Sequence, residues 1–384
     1  PKFLMQIKDV RARKIKDSRN EDTIEVDIHG ERASSPSGKS KGKYETPSYH
    51  KNIDWNIKEI NSLKIDFEIN SFSDLKKLEL YLKKQFKLKN AKDFGANALY
   101  ALESSILKAL AKEQNKELFE IINIVVKDIP VPVGNAIGGG LHSHFKNHPV
   151  FQEFLLIPNE KSFKENFDRL TDTYESLGRK LKTYKINDEG AWECSLNEEQ
   201  ILELLSSYKD IEIGIDVASS SFFEKGKYKY KETNRNKDKQ IDYINYLIKK
   251  YNVYYMEDPL QEDDFKGFSE INRTTRNLIV GDDLTVTHID RLKKAIKENA
   301  VNAIIVKPNQ NGSLIELKEI FDICKKNNIK TIMSHRSGET FDNALADYAV
   351  GFGADFIKCG IATKWREVKL NRLLEIEKIL DKRV

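Results

Sequence analysis

The sequence predicts an α/β protein in which a C-terminal (β/α)8 barrel follows a smaller α+β domain. Two observations carry this reading. Six short apolar runs in the second half each end in a charged or imidazole residue: IEIGID at Asp216, VYYME at Glu257, LIVGD at Asp282, AIIVK at Lys307, TIMSH at His335 and DFIK at Lys358. These ends are 41, 25, 25, 28 and 23 residues apart, close to one strand plus one helix. Apolar runs at that pitch, separated by amphipathic stretches, are the pattern of buried parallel strands alternating with helices. In the first half strand-like alternation precedes helical spacing, which is the order of an α+β unit.

Taken in order, residues 2–29 alternate (FLMQIKDVRARKI, then TIEVDIHG) and predict two strands of an antiparallel meander. The stretch 31–49, ERASSPSGKSKGKYETPSY, is too poor in apolar residues to pack and predicts a mobile loop, made positive by Lys39, Lys41 and Lys43. Residues 73–87 and 94–115 carry helix formers at helical spacing. The first domain therefore spans 1–125 and the barrel 126–384. Around 125–140, VVKDIPVPVGNAIGGG predicts a junction running into a tight loop. The hydrophilic stretch 222–240 predicts a hairpin tip near Gly226 within an otherwise solvated loop or lid.

Bulk properties narrow the class. Against 60 acidic residues stand 64 basic ones, a net charge of +4 that does not call for nucleic acid. No run approaches the ~18–20 apolar residues that span a bilayer. The first residues are charged and lack the apolar core of a signal peptide. Cys194, Cys324 and Cys359 are odd in number and far apart, which predicts reduced thiols rather than a disulfide framework or a zinc site. A soluble cytoplasmic protein is expected, with no membrane or nucleic-acid partner.

Strand carboxyl ends converge on one face of such a barrel, and catalytic groups come from several of them. Asp216, Glu257 and Asp282 offer oxygen ligands suited to Mg²⁺ or Mn²⁺. Each alone could equally be a helix-capping acid; three at consecutive strand ends favour the ligand reading. Lys307, beside a metal and other cations, would have its neutral form favoured, as a general base requires. Lys358 is a second ammonium on the same face. Ser334-His335-Arg336-Ser337 offers a planar guanidinium and hydroxyls for phosphate or carboxylate. A Ser/His hydrolase reading fails, because Ser334 and His335 are adjacent and no G-x-S-x-G elbow exists. Gly138–Gly140 lacks the GK[ST] ending of a P-loop. Glu189 lies before a turn, His142 follows the glycine run, and Gln152-Glu153 opens an apolar segment.

These segments resemble enolase. SHRSGET at 334–340, GDDLTVT at 281–287, MEDPLQEDDF at 256–265, VKPNQNGSL at 306–314 and GIDVASSSFF at 214–223 look like its signature segments, in its order. PVPVGNAIGGGLHS and FQEFLLIP resemble the segment opening the barrel, and PSGKS a serine-bearing lid. The resemblance implies a TIM-like enolase barrel with irregular first strands, under an N-terminal α+β capping domain. It implies reversible dehydration of 2-phospho-D-glycerate to phosphoenolpyruvate, a lyase reaction, with two Mg²⁺ per active site. Carried over by motif, Asp216, Glu257 and Asp282 would hold the first ion, and Ser40 would help hold the second. Lys307 would be the base at C2 and Glu189 the acid at the C3 hydroxyl. Arg336 and Ser337 would bind phosphate and Lys358 the carboxylate, with His142, Gln152, Glu153, Ser334 and His335 lining the site. A homodimer or an octamer of dimers is expected.

The chain departs from the enolase pattern in five places, two of them being His144 to Val150, where a glycine-rich lid is usual, and Ala191-Trp192, where a second glycine and a Phe are typical. Lysines surround Ser40, Leu141 stands before His142, and IATKWRE follows Gly360. Two other functions fit the same scaffold: another superfamily dehydratase or racemase of carboxylic acids, and a catalytically silent binding protein. Retention of Arg336-Ser337, Glu189 and Lys307 favours the enolase reaction over both.

Overall fold

The structure, a computed structural model, describes residues 5–39, 41–126 and 128–382. Arg11–Lys16, Asp22–Ile28 and Glu31–Ser34 form an antiparallel sheet in that order. Ile24, Val26 and Ile28 occupy its period-2 inner face, fully buried against helix Ala96–Glu113. Leu75–Phe86 and Ala96–Glu113 are helical where their spacing places them. A further helix, Ile53–Asn61, begins where the Asn52 side chain accepts the Trp55 N–H.

The 31–49 stretch packs, contrary to expectation. Glu31–Ser34 is the third strand of the sheet. Beyond it, Ser37 and Gly338 exchange backbone hydrogen bonds of 2.7 and 2.8 Å, and the Thr46 N–H donates to the Gln310 carbonyl at 3.1 Å. Main-chain bonding to barrel loops holds this segment in place of apolar burial, and hydropathy does not register such bonding.

The barrel closes through eight strands, Val131–Gly138, Glu153–Pro158, Ile211–Asp216, Tyr255–Glu257, Leu278–Gly281, Ala303–Val306, Lys330–Ser334 and Phe356–Lys358. Its interior is filled by Val133, Leu155, Ile157, Tyr255, Val280, Ile305 and Ile332. The segment read as a junction and tight loop is its first strand, Val131–Gly138, buried almost throughout. Pro132 is tolerated because the antiparallel neighbour pairs only from Gly134 onward, so the missing N–H breaks no ladder bond there. The second strand runs against all the others. Its first residue, Glu153, consequently lies at the end of the barrel where the other strands finish.

The 222–240 interruption contains the expected hairpin, turning at Lys225-Gly226 with φ of 50° and 74°. The remainder is largely exposed as expected, residues 231–234, 236, 238 and 239 all facing solvent, but it is anchored at a few points. A third strand, Asn234–Arg235, completes a small sheet, Tyr228 is buried, and the Arg235 guanidinium lies 3.9 Å from the ring centroids of both Tyr230 and Tyr243. Tyr228 and the stacked Arg235 anchor an otherwise exposed, lysine-rich segment.

The cap meets the barrel through a buried carboxyl. Glu103 is fully buried and accepts the Leu314 N–H at 2.7 Å. Burial first, then the nearby Glu79, push its carboxyl well above the usual range. A carboxyl raised on folding contributes stability below its unfolded pKa of about 4.3, and that contribution is lost as pH rises through the folded value. Glu103→Gln is therefore expected to be more stable than wild type above neutral pH and no more stable at pH 4, measured as unfolding temperature. Among the described residues no helix is long and apolar enough to cross a membrane.

Candidate active site

The six strand ends meet as their spacing requires. Asp216 and Glu257 end adjacent strands in register, and Glu153 stands opposite Asp216 on the other side. Three carboxylates thus share one level of the barrel. Such a cluster is costly unless cations offset it. Lys358 does so: its Nζ lies 2.7 Å from Glu153 Oε2, 3.1 Å from Asp216 Oδ2 and 2.8 Å from Glu257 Oε2. Burial alone would lower this ammonium, but Asp216, Glu153 and Glu257 outweigh it and raise it well above the usual lysine value. Burial pushes Glu153 up to about 7, opposed by Lys358 and reinforced by Glu189.

Asp282 and Lys307 form the neighbouring pair, Nζ to Oδ2 at 2.5 Å. Burial would raise the carboxyl, yet Lys307 holds Asp282 below the ordinary range. In turn, burial would lower Lys307, and Asp282 raises it above the usual value. The closest charge to Lys307 is the Asp282 carboxylate, which favours the ammonium.

Glu189 accepts the Asn135 Nδ2–H at 3.1 Å, and His142 Nδ1 lies 3.6 Å from it. Burial lowers His142 and keeps it neutral. The His335 Nδ1 accepts from Arg366 Nε at 3.0 Å, which places the proton of the neutral ring on Nε2, 3.8 Å from Glu189 Oε2. Burial first, then Arg366 and Lys358, hold His335 well below its ordinary value. Arg336 donates to Asn309 Oδ1 at 3.0 Å and pairs with Glu45 Oε1 at 2.7 Å. Ser337 Oγ accepts the Lys39 N–H at 2.7 Å.

One cavity is lined by His142, Gln152, Glu153, Glu189, Asp216, Asp282, Lys307, Ser334, His335, Arg336, Ser337 and Lys358. Glu257 lies behind them, fully buried against Lys358. Ser40 lies outside the described residues. Sequence reasoning missed Glu45, Asn135, Asp258, Asn309 and Arg366. Arg366 is fully buried and also donates to the Arg336 carbonyl at 3.0 Å and the Ser337 carbonyl at 3.3 Å. It stands in the departing IATKWRE segment, and no local pattern separates a buried arginine from an exposed one. Asp258 carries a weak signal, an acid following Glu257 before proline; it accepts the Asp282 and Asp283 N–H groups at 3.0 and 2.7 Å.

The residues fit a divalent cation on one observation. Glu257 Oε1 and Asp282 Oδ1 are buried oxygens without a hydrogen-bond partner among the described residues, on two of the three expected ligands. The ligand atoms that come within 4.8 Å of one another belong to two other groups, His142, Glu153 and Glu189, and Asp258, Asp282 and Asp283. In the second group the Asp258 oxygens are already engaged by backbone N–H groups.

The segment that carries Lys39, Lys43 and Tyr44 is tied down at both edges. Lys39 reaches Asp188 at 3.8 Å, Lys43 reaches Asp263 at 3.4 Å, and the Tyr44 hydroxyl donates to Asp263 at 2.8 Å. Exposed pairs are weak and screened by salt. A Lys39→Ala/Lys43→Ala variant is expected to raise KM less than about fivefold and to lose part of its salt dependence, read from KM at low and high salt.

A roofed barrel gathering carboxylates, ammonium groups and a guanidinium at its strand ends is the architecture of a barrel enzyme acting on a small anionic molecule. Two family models cover the chain, "Enolase, N-terminal domain" over residues 7–122 and "Enolase, C-terminal TIM barrel domain" over residues 126–384. Among its relatives, the enolase of Thermoplasma acidophilum is 35% identical, covering 98% of this chain and 99% of its own length. The enolase of Methanosphaera stadtmanae is 37% identical over 97% of each chain, and that of Sulfurisphaera tokodaii 36% over 97% and 95%. The chain belongs to the enolase family. It is an enzyme of that class, a phosphopyruvate hydratase, and family membership implies a divalent metal and a small-molecule substrate.

Proposed function

We propose that Lys307 removes the C2 proton of 2-phospho-D-glycerate and that Glu189 protonates the departing C3 hydroxyl, giving phosphoenolpyruvate and water. The observation that carries this is a single cavity lined by both Lys307 and Glu189, an amine and a carboxyl from distant parts of the chain, with Arg336 and Ser337 in the same lining. A neutral amine that takes the C2 proton and a protonated carboxyl that gives one to the oxygen on C3 suit this reaction.

Asp216, Glu257 and Asp282 are the residues that would hold magnesium, supported by the two unpartnered oxygens. The ion supplies fixed positive charge, without which a proton beside a carboxylate is too weakly acidic to leave. Ser40 belongs to the same proposal. Arg336 and Ser337 orient the phosphate, and Lys358 faces the substrate carboxylate. His142 and His335, both held neutral by burial, can donate or accept hydrogen bonds without adding charge beside Glu189. Docking of residues 36–39 and 41–46 would help to keep water from the cavity.

The division into a cap of residues 1–125 and a barrel of 126–384 is part of this reading, supported by the two family spans. A homodimer or octamer of dimers and a cytoplasmic location rest on the family resemblance alone. The test is absorbance growth from phosphoenolpyruvate with 2-phospho-D-glycerate, with and without magnesium. Magnesium-dependent turnover is expected; faster turnover of a phosphate-free hydroxy acid would instead assign the chain to another dehydratase.

A further inference from the structure

We propose that Glu45 is a positioning residue that ties the docked turn of residues 42–45 to the orientation of Arg336. The inference rests on the reading of Arg336 as the phosphate-binding group. Glu45 Oε1 lies 2.7 Å from Arg336 Nη1, with the two side chains 6% and 3% exposed. Its other oxygen accepts the Gly42 N–H at 3.1 Å, and the Glu45 N–H donates to the Gly42 carbonyl at 3.0 Å. One carboxylate thus ties a turn of the lid to the guanidinium.

The rest of the surround points the same way. Asn309 accepts from Nη1 at 3.0 Å and is itself oriented by donating to Asn97 Oδ1 and the Pro36 carbonyl, both at 3.0 Å. Gly38 lies directly on the fork: a Cβ there would fall 2.0 Å from Nη2. Lid residues on both sides of position 40 therefore meet the same guanidinium. With Nη1 fixed by two acceptors, the plane of the fork is set before an anion arrives.

A buried negative charge beside an anion-binding arginine works against anion affinity. Glu45 consequently weakens phosphate binding while holding the geometry that turnover needs. The two effects separate experimentally. Glu45→Gln keeps an acceptor for Nη1 but removes the charge and the acceptor for the Gly42 N–H, which unties the turn from the guanidinium. In magnesium-loaded enzyme it is expected to lower the inhibition constant for inorganic phosphate by about tenfold, while kcat falls. Glu45→Asp keeps the charge but shortens the reach. It is expected to lower kcat with the phosphate constant near wild type.

Unchanged kcat in both variants, or a phosphate constant that rises in Glu45→Gln, overturns the proposal. Arg336→Gln separates this from failure of the underlying reading. If that substitution leaves phosphate inhibition unchanged, Arg336 is not the phosphate group. If it weakens inhibition while the Glu45 variants behave as wild type, only the positioning role fails.

Discussion

Lys307→Ala is expected to lower kcat by about 10²–10⁴-fold, the range that a positioned proton-transfer group supplies. KM should change far less, since the anion-binding groups stay in place. In the structure Lys307 is an ammonium held by Asp282 at 2.5 Å. Base catalysis requires that Asp282 be engaged elsewhere, after which burial and the nearby Arg336 and Lys358 favour the neutral amine. Solvent exchange of the C2 proton distinguishes this role from that of Glu189. Glu189→Gln should still exchange deuterium into 2-phospho-D-glycerate while losing turnover, and Lys307→Ala should lose both. Retention of C2 exchange in Lys307→Ala would mean that another group takes the proton.

Lys358→Met is expected to produce the largest loss of stability at the site. Its ammonium lies within 3.1 Å of Glu153, Asp216 and Glu257, and it is 3% exposed. Breaking a buried ion pair by removing one partner costs about 3–5 kcal/mol, and here three carboxylates lose the same partner. The cost should appear in urea unfolding with a chelator present and shrink in excess magnesium, which replaces the lost positive charge. It should also shrink at acid pH, where protonated carboxyls no longer repel one another. An equal loss with and without magnesium would show that the carboxylate cluster is not the ion's site.

Much of the barrel was legible because buried strands must be apolar and must recur at the strand-plus-helix pitch. Asp216, Glu257, Asp282, Lys307, His335 and Lys358 end or follow their strands as that spacing requires. The first strand was misread because prolines and glycines in Val131–Gly138 resemble a turn, and only its neighbours show that the missing N–H is not needed. The 31–49 stretch was misread for a related reason. It docks through main-chain hydrogen bonds and single ion pairs, none of which leaves a periodic trace in residue type.

Residue order alone carried the class of fold, the level of the barrel at which the charged groups stand, and, through motif resemblance, the family. Periodicity and short signature segments are local properties, so a linear chain carries them openly. The partners of those groups came from the packing of the folded chain. It set Glu153 beside Asp216 by reversing one strand, put Lys358 among three carboxylates, placed Arg366 behind His335, and brought Glu45 across from the cap to Arg336. Those contacts join residues far apart in the chain. Their energies depend on burial and on distances of a few ångströms, which exist only once the barrel has closed.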